Sequence, residues 1–432
     1  MSHRRSRATP VALCLALLAI VGVGCDPHPN YRGALEGLRG TNLVGTADPA
    51  FAPRLLTTPA GAQGLDDISY AAQAYDAVVT IALAAVAAGT DGIDLARHIV
   101  SVTRGGQVCD TFTACTTIIS EQGDIQYVGP SGPTPLNDSG EPDRGEYQLE
   151  TFGPDDRVNP ALTTTIDSPT PSSMGVNAPS LQGTRAGDGT LHLGALLPES
   201  GIGSENLPGL EAAVQLAVAD INRAGGVLGQ PVQVTIADSG DATTDTAIRS
   251  VEQLLADGVD SIVGPASSAV TLKVIDRVVG AGVVLFSPSN TATALSGYPD
   301  RGLYFRNAPS DLLQGAALAR VVAESGAHTA YVLAIDDTYG AGLANQLAES
   351  LDTEGVNLVG TTLYDPTLSS YFETIAPVRA ADPDAIVLVG FGESSRVLRA
   401  LVVRGLGPLR KHVFGTDGNT SNSMAERFDS GQ

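Results

Sequence analysis

The chain has 432 residues, a net charge of −22 at pH 7, no Trp and 5% aromatic residues. That length is enough for two or three domains of ordinary size. A nucleic-acid-binding protein needs a basic face that replaces the counterions on phosphate, and no segment of this acidic sequence supplies one. Composition therefore argues against that class, and the acidity favours solubility instead.

The first 25 residues resemble an export signal. Three arginines near the start precede an apolar stretch at residues 11–23, which is too short to span a bilayer comfortably. The stretch ends in VGVGC at Cys25, which is similar to the cleavage box of bacterial lipoproteins, where the cysteine is acylated. An ordinary signal peptide cut near Gly24 is the alternative. We predict a lipoprotein signal over residues 1–25, with Cys25 as the site of a lipid anchor in the membrane.

Residues 26–157 contain few strand patterns for their length. Residues 68–89 are strongly apolar and predict a helix. Because Asp76 interrupts this run, a buried helix of a large α/β fold is preferred to a membrane span. Within residues 125–152, two strand-like ends flank a polar turn region rich in Gly and Pro. Such a segment would make a poor independent domain, so we interpret it as part of a larger one.

Cys109 and Cys115 lie in the same segment. In an oxidising compartment, an even pair at such short range indicates a local disulfide. A metal site would need more ligands, and the histidines are scattered without ligand spacing. We therefore predict a disulfide here, and neither a metal site nor a cofactor.

Residues 158–189 are rich in Pro, Ser, Thr and Gly and lack periodicity, which is typical of a linker. Beyond them, strand and helix patterns alternate strictly, which predicts parallel sheets covered by helices. A connection near residues 306–311 separates two such series. The prediction is an α/β fold of two doubly wound lobes joined by a hinge, with lobe I over about residues 190–306 and lobe II over about residues 311–420. Ligands of open α/β sheets bind outside the carboxyl ends of the strands, so the cleft between the lobes is the expected site.

The patterns in lobe II are the most regular, and each of its elements has a predicted range. They are helices at 311–325, 340–354, 371–381 and 394–404, and strands at 329–335, 356–364, 384–390 and 412–416.

Four motifs carry a family resemblance: GPASSAVTLKVIDRVVGAGVVLFSPSNTATAL (residues 264–295), FRNAPSDLLQG (305–315), VLVGF (387–391) and FGTDG (414–418). They resemble the first two-thirds of type I periplasmic binding proteins of the leucine/branched-chain amino acid family. Residues from about 34 to 157 resemble that family's last third. The resemblance thus places the family's tail before its head.

This order implies a circular permutant. Residues 190–432 would be the family's N-terminal segment, residues 26–157 its C-terminal segment, and residues 158–189 the linker that joins the old ends. Neighbouring surface termini make such a rearrangement tolerable. A monomer is expected. The alternatives are a domain-swapped dimer, in which the tail completes a neighbouring chain, and a gene model that joins fragments of tandem copies.

The resemblance also implies a ligand site. In the family, hydroxyl-bearing turns hold the α-carboxylate and α-ammonium groups of the ligand, and here those positions fall on Ser268, Ser289 and Thr291. Ser267 and Ser268 open a helix, where free N–H groups bind anions. Ordinary N-capping is the alternative role of these two serines.

Asp417 follows a strand at the opposite side of the expected cleft, where the family has an acidic residue that pairs with the ligand's ammonium group. A turn aspartate is the alternative. Tyr339, Phe391 and Tyr70 fall on aromatic positions of the family's site, although a place in the core is the favoured interpretation of each one taken alone. Ser200, after the first strand of lobe I, is the weakest candidate.

The resemblance implies an extracytoplasmic solute-binding protein that captures an amino acid or a similar small polar solute by lobe closure. It would deliver this solute to a permease of the ATP-binding cassette (ABC) type, from the periplasm or cell envelope. A ligand-sensing module of the same fold, signalling to a membrane partner, is the alternative. An enzyme is not expected, because GFGES (residues 390–394) has its serine in the wrong place for the G-x-S-x-G motif.

Overall fold

The computed structural model describes residues 31–43, 48–65, 67–168, 180–204 and 207–430. From Arg32 onward, the described residues form one compact unit. The predicted signal, with its lipidation site at Cys25, lies outside the described residues.

The strands and helices of the described residues are numbered in chain order. The strands are β1 (Arg39–Leu43), β2 (Gln107–Cys109), β3 (Ile125–Tyr127), β4 (Glu146–Thr151), β5 (Thr164–Asp167), β6 (His192–Leu197), β7 (Gln233–Asp238), β8 (Ser261–Val263), β9 (Val284–Ser287), β10 (Tyr304–Arg306), β11 (Thr329–Ile335), β12 (Asn357–Tyr364), β13 (Ala385–Val389) and β14 (His412–Gly415). The α-helices are α1 (Phe51–Leu55), α2 (Ala71–Ala88), α3 (Ala96–Ile99), α4 (Phe112–Ser120), α5 (Leu207–Arg223), α6 (Thr246–Ala256), α7 (Ser268–Gly280), α8 (Asp311–Glu324), α9 (Thr338–Thr353), α10 (Ala376–Ala381), α11 (Ser394–Val403) and α12 (Asn422–Ser430). Short 3₁₀ turns lie at Gly61–Gln63, Ile93–Leu95, Ser101–Thr103 and Thr293–Leu295.

Two large sheets define the lobes within the described residues. The sheet of lobe I has the order β10-β9-β8-β6-β7, and its strands are parallel. The sheet of lobe II has the order β12-β11-β13-β14-β1-β4-β5, parallel as far as β1 and antiparallel beyond it. Every residue of β13 (AIVLV) is buried, as expected for a strand covered by helices on both faces. The predicted α/β architecture of parallel sheets is confirmed.

The segment before lobe I contributes to both lobes of the same chain. Its strand β1 pairs in parallel with β14, with Arg39 opposite Phe414, and antiparallel with β4. Its helix α2 packs against α5, which covers the sheet of lobe I. Strands β1, β4 and β5 therefore complete lobe II, and the longest helix of the segment completes lobe I, whereas β2 and β3 pair with each other in a separate parallel sheet.

Helix α2 is buried on all sides from Ala71 to Ala85 and lies in the core. By length and composition it could cross a membrane, but 83% of its apolar window is buried inside the fold. Asp76 is tolerated there because its carboxylate accepts hydrogen bonds from the Tyr127 hydroxyl (2.7 Å) and the Ser131 N–H (2.9 Å). Burial nevertheless raises the pKa of Asp76 to about 6. The prediction of a buried helix is confirmed.

The predicted linker at residues 158–189 is partly wrong. Within its β-branched run TTTID, residues Thr164–Asp167 form strand β5, which pairs with β4 and ends the sheet of lobe II. Near its other end, the Asp91 carboxylate accepts hydrogen bonds from the N–H groups of Asp188 (3.1 Å) and Gly189 (2.9 Å). Both ends of the predicted linker are thus attached to the fold, and residues 169–179 between them lie outside the described residues.

Other predicted boundaries agree closely or fail for identifiable reasons. The predicted strand at 329–335 coincides with β11. The predicted helix at 371–381 begins only at Ala376, where Pro377 occupies the first turn, a position that proline favours. Lobe II also continues past residue 420, because α12 packs against α11.

The structure contains a disulfide between Cys109 and Cys115, whose Cα atoms are 5.3 Å apart.

A buried ion pair joins the first segment to the last strand of lobe I. The Arg306 side chain has no exposed surface, and that of Glu141 is 5% exposed. The Arg306 Nε atom donates to Glu141 Oε2 at 2.8 Å, and its Nη1 donates to the Ala292 carbonyl at 3.0 Å. Because a charge left unpaired in the interior is costly, each member of the pair requires the other.

We predict that Glu141→Gln lowers the free energy of unfolding by about 3–5 kcal/mol, because Arg306 is left with an uncompensated buried charge. Denaturant titration followed by circular dichroism measures this effect. Asp94→Asn is the matched control, since the Asp94–Arg97 pair has side chains that are 64% and 59% exposed. Exposed pairs contribute about 0–1 kcal/mol. Equal destabilisation by both substitutions would contradict the prediction.

Candidate ligand-binding site

A cavity lies between the lobes, with walls from lobe I, lobe II and the segment that precedes them. It holds about 630 Å³ of empty space, part of it open to solvent. Each residue predicted to bind ligand lines it: Tyr70, Ser267, Ser268, Ser289, Thr291, Tyr339, Phe391 and Asp417. Ser200 is not among the lining residues; its hydroxyl donates instead to Asp238 Oδ2 at 2.6 Å.

The wall on lobe I is built from two turns that follow β8 and β9. Ser267 is the N-cap of α7, and its hydroxyl accepts a hydrogen bond from the Val270 N–H at 3.4 Å. The Ser268 hydroxyl accepts one from the Ala292 N–H at 3.3 Å. The Ser289 hydroxyl donates to the Ala266 carbonyl at 3.1 Å. Hydroxyls and the first N–H groups of a helix therefore meet at one wall, which suits an anionic group.

Asn290 fixes these two turns to each other, and sequence reasoning missed it. Its side chain is fully buried, and its Nδ2 donates to the carbonyls of Ala266 (2.8 Å) and Pro265 (3.2 Å). Its Oδ1 accepts from the Thr271 hydroxyl at 2.7 Å and from the Tyr304 hydroxyl at 3.0 Å. Because every polar atom of this amide is used, the serine wall is held rigid. An asparagine in a Ser-Pro-Ser-Asn stretch looks like an ordinary turn residue, so no local pattern indicated this role.

The wall on lobe II centres on Asp417. Its carboxylate accepts a hydrogen bond from the Tyr339 hydroxyl at 3.0 Å, and that hydroxyl also lies 2.9 Å from Thr416 Oγ1. The Tyr339 ring packs on Phe391, with centroids 5.3 Å apart. Burial and then the neighbouring Asp417 carboxylate raise the pKa of Tyr339 well above its usual value, so the tyrosine remains a donor.

Tyr70 reaches the same carboxylate from the first segment. Its hydroxyl donates to Asp417 Oδ2 at short range. Its backbone has φ 62° and ψ 2°, a left-handed conformation that is rare for a bulky residue. The side chains of residues 70 and 417, which are far apart in sequence, therefore meet in one cavity within a single chain.

Asp311 is a second acidic group beside the cavity that the sequence did not reveal. It is fully buried, its N–H donates to the Thr291 carbonyl at 2.7 Å, and neither carboxyl oxygen has a well-aligned hydrogen-bond partner among the described residues. Burial, followed by the nearby Asp417 carboxylate, raises the pKa of Asp311 well above its usual value. In sequence, Ser310-Asp311 is simply a favourable helix start, so its position gave no signal of a further role.

A second hollow of about 940 Å³ adjoins the back of Tyr70. Glu150 lines it, and the Oε2 atom of this residue is buried without a hydrogen-bond partner among the described residues. Burial, and secondarily the Asp67 carboxylate, raise the pKa of Glu150 to about 7. The folded state therefore favours the protonated form of this carboxyl group.

We predict that Glu150→Gln stabilises the protein by about 1–3 kcal/mol at pH 8, where the wild type bears the cost of a buried charge. Because the folded pKa is raised, this cost disappears as the pH falls from about 7 towards 4.5, the ordinary pKa of a glutamate side chain. Unfolding free energies measured at pH 4.5 and pH 8 test the difference. Glu146→Gln, at an exposed position of the same strand, is the control. A gain of equal size at both pH values would contradict the prediction.

The fold and the cavity define a class: an α/β protein of two lobes that holds a small molecule between the carboxyl ends of parallel strands. The chain belongs to the periplasmic binding protein family, whose model matches residues 190–425. The description of the family is that of binding proteins, and it refers to the periplasm. Among the described residues, no group of three or more His, Cys, Asp or Glu could hold a metal ion.

Two curated relatives are similar over about half of this chain. The chemotactic signal transduction system substrate-binding protein BasB of Halobacterium salinarum is 34% identical over 50% of the chain and 54% of its own length. The Leu/Ile/Val-binding protein BraC3 of Rhizobium johnstonii is 26% identical over 47% of the chain and 55% of its own length. The chain thus spans about half the length of these relatives.

Solved structures support the same fold. A type 1 periplasmic binding protein of Bordetella pertussis has a TM-score of 0.51 at 23% identity, covering 55% of this chain and 65% of its own. A leucine-binding protein of Thermotoga maritima has a TM-score of 0.50 at 20% identity, covering 55% and 66%. At these identities the likeness concerns the fold alone.

Proposed function

We propose that this protein captures a small zwitterionic solute, an amino acid or a close analogue, by closing its lobes around it. The observation that supports the proposal is that one wall of the cavity presents hydrogen-bond donors and the facing wall presents a carboxylate. Hydroxyl and N–H groups at Ser268 and Ser289 on lobe I suit a carboxylate. Asp417 on lobe II suits an ammonium group, with which it would form a charge-assisted hydrogen bond.

The rest of the cavity suits a solute with an apolar side chain. Pro198, Ile202 and Leu210 line the cavity together with the ring of Phe391. These groups can bury hydrocarbon, whereas the polar walls fix the orientation of the head group.

Two uses of the captured solute are compatible with the relatives, import and sensing. The Leu/Ile/Val-binding name of the Rhizobium relative favours import, in which the solute passes to an ABC permease from a lipid-anchored protein in the periplasm or cell envelope. The chemotactic name of the Halobacterium relative, at 34% identity, favours the sensing alternative, in which the loaded protein signals to a membrane partner. Neighbouring genes distinguish the two: permease and ATPase genes favour import, and a receptor or kinase gene favours sensing.

The first test is a thermal-shift screen of amino acids and small acids, followed by calorimetric titration of the best solute. A solute at 100 times its Kd stabilises the folded protein by about 2.7 kcal/mol. We predict that Asp417→Asn weakens binding by about 30-fold or more, since truncating one partner of a buried charged pair costs about 2–5 kcal/mol. Ser268→Ala should weaken it by about 10–150-fold, because a hydrogen bond to a charged group contributes about 1.5–3 kcal/mol.

Ser200→Ala is the matched control, because Ser200 lies outside the cavity lining and should leave the affinity unchanged. The site assignment is wrong if Asp417→Asn and Ser268→Ala behave like this control. A screen with no stabilising solute would count against solute capture by this chain.

We further propose that the chain is a circular permutant of its family. The family model begins at residue 190, after the segment that supplies β1 and α2. The parallel pairing of β1 with β14 and the Glu141–Arg306 ion pair support assembly of this segment with its own chain. Residues 158–189 would then join the family's original ends.

Cleavage at a protease site inserted between residues 169 and 179 tests this order. We expect a monomer before cleavage and two fragments that remain associated afterwards, since the contacts between the halves do not pass through the cut. Size-exclusion chromatography with light scattering measures both masses, and the two fragments should separate only in denaturant. An obligate dimer before cleavage would favour domain swapping, and fragments that separate in buffer would contradict intrachain assembly.

A further inference from the structure

We propose that the Tyr70 hydroxyl is a latch between the lobes, which stabilises lobe closure by a direct hydrogen bond to Asp417. The inference rests on the proposed function, because it assumes that the lobes close around a solute. It goes further, because it assigns part of the free energy that favours the closed lobes to a contact between two protein side chains, in which the solute takes no part.

The two partners of this bond belong to different lobes. Tyr70 immediately precedes α2, which packs against α5 and the strands β8 and β9 of lobe I. Asp417 follows β14, in the sheet of lobe II. The bond from the Tyr70 hydroxyl to Asp417 Oδ2 therefore crosses the cleft.

Asp417 accepts a second hydrogen bond that does not cross the cleft. The Tyr339 hydroxyl donates to Asp417 Oδ1 at 3.0 Å, and Tyr339 lies in α9, whose neighbours β11, β12 and β13 belong to lobe II. A carboxylate has about four acceptor sites, so these two hydroxyls leave room for an ammonium group. The latch and the solute can thus share Asp417 without competing for it.

The backbone of Tyr70 supports a specific role for its side chain. The residue adopts φ 62° and ψ 2°, which costs a residue with a side chain about 1–2 kcal/mol. Such strain persists where the surroundings hold it in place, and it clusters at binding sites. Here the Tyr70 carbonyl accepts the first α2 hydrogen bond, from the Ala74 N–H at 2.8 Å, while the side chain reaches into the cleft.

The hydroxyl of Tyr70 is suited to be a permanent donor. Burial, followed by the Asp417 carboxylate, raises the pKa of Tyr70 well above its usual value, so the group keeps its proton. The ring also separates the ligand cavity from the hollow behind it, because it lines both. Phenylalanine at this position would keep the wall and remove only the bond across the cleft.

The experiment compares Tyr70→Phe with Tyr339→Phe. Each substitution removes one hydroxyl donor from Asp417, but only the first removes a bond between lobes. For Tyr70→Phe, small-angle X-ray scattering without solute should show a larger radius of gyration than for the wild type. Its affinity should fall about tenfold for every solute, whatever the head group, which corresponds to a charge-assisted hydrogen bond of about 1.4 kcal/mol.

For Tyr339→Phe, the radius of gyration without solute should match that of the wild type, and any loss of affinity should be confined to solutes that carry an ammonium group. The latch is refuted if Tyr70→Phe leaves the radius of gyration unchanged, raises the affinity, or changes both quantities no more than Tyr339→Phe does. The scattering comparison requires no solute, so it stands even if the binding assignments of Asp417 and Ser268 fail. Circular dichroism and thermal unfolding confirm that both variants are folded.

Discussion

The pairing of β1 with β14 is the contact on which the rest of the structure depends. A strand buried in the middle of a sheet must satisfy its backbone N–H and C=O groups on both sides, because an unpaired buried group costs as much as a lost hydrogen bond. β14 has β13 on one side and β1 on the other. Strand β1 in turn carries β4 and β5, so the sheet of lobe II is continuous only when the first segment of the chain is in place.

That pairing also determines the composition of the cavity. The same segment runs from β1 in lobe II to α2 in lobe I, and Tyr70 lies where it enters α2. If the segment were not assembled, Asp417 would lose the Tyr70 donor, and Arg306 would lose the Glu141 carboxylate that neutralises it. Assembly of the first segment and completion of the candidate site are therefore coupled, because Arg306 would otherwise be left with an uncompensated buried charge and, among the described residues, Asp417 with the Tyr339 hydroxyl alone.

The regular part of this architecture could be predicted from sequence, because it depends on local periodicity. Strand 329–335 and the alternation around it follow from apolar runs bounded by turns. Strand β5 could not be predicted, since TTTID lies within a stretch whose Pro, Ser and Gly content hides it, and only pairing with β4 selects the extended form. In general, β propensity of this kind depends on the neighbouring strand rather than on the residues themselves.

The candidate site divides in the same way, into residues that motifs in the sequence predicted and contacts that only the folded chain shows. Family resemblance located the cavity-lining residues, because their turns follow strands at one edge of each sheet. It gave no indication of Asp311, which in sequence is only a favourable helix start, or of the bond between Tyr70 and Asp417. That bond joins residues 347 positions apart, so no local pattern encodes it. Side-chain partners across a cleft are fixed by the relative placement of the lobes, which periodicity does not specify.

The electrostatics of the cavity bear on which solutes it can accept. Among the described residues, its lining includes neither Lys nor Arg, and the nearby Arg306 is already paired with Glu141. A solute carboxylate would therefore be held only by hydroxyl and N–H dipoles on lobe I, while Asp417 lies on the opposite side. A simple anion would meet the Asp417 carboxylate without compensation, which costs binding free energy at a partly buried site. Under the proposed function, a zwitterion would place its ammonium group between Asp417 and its own carboxylate, so the aspartate that disfavours a simple acid would favour an amino acid.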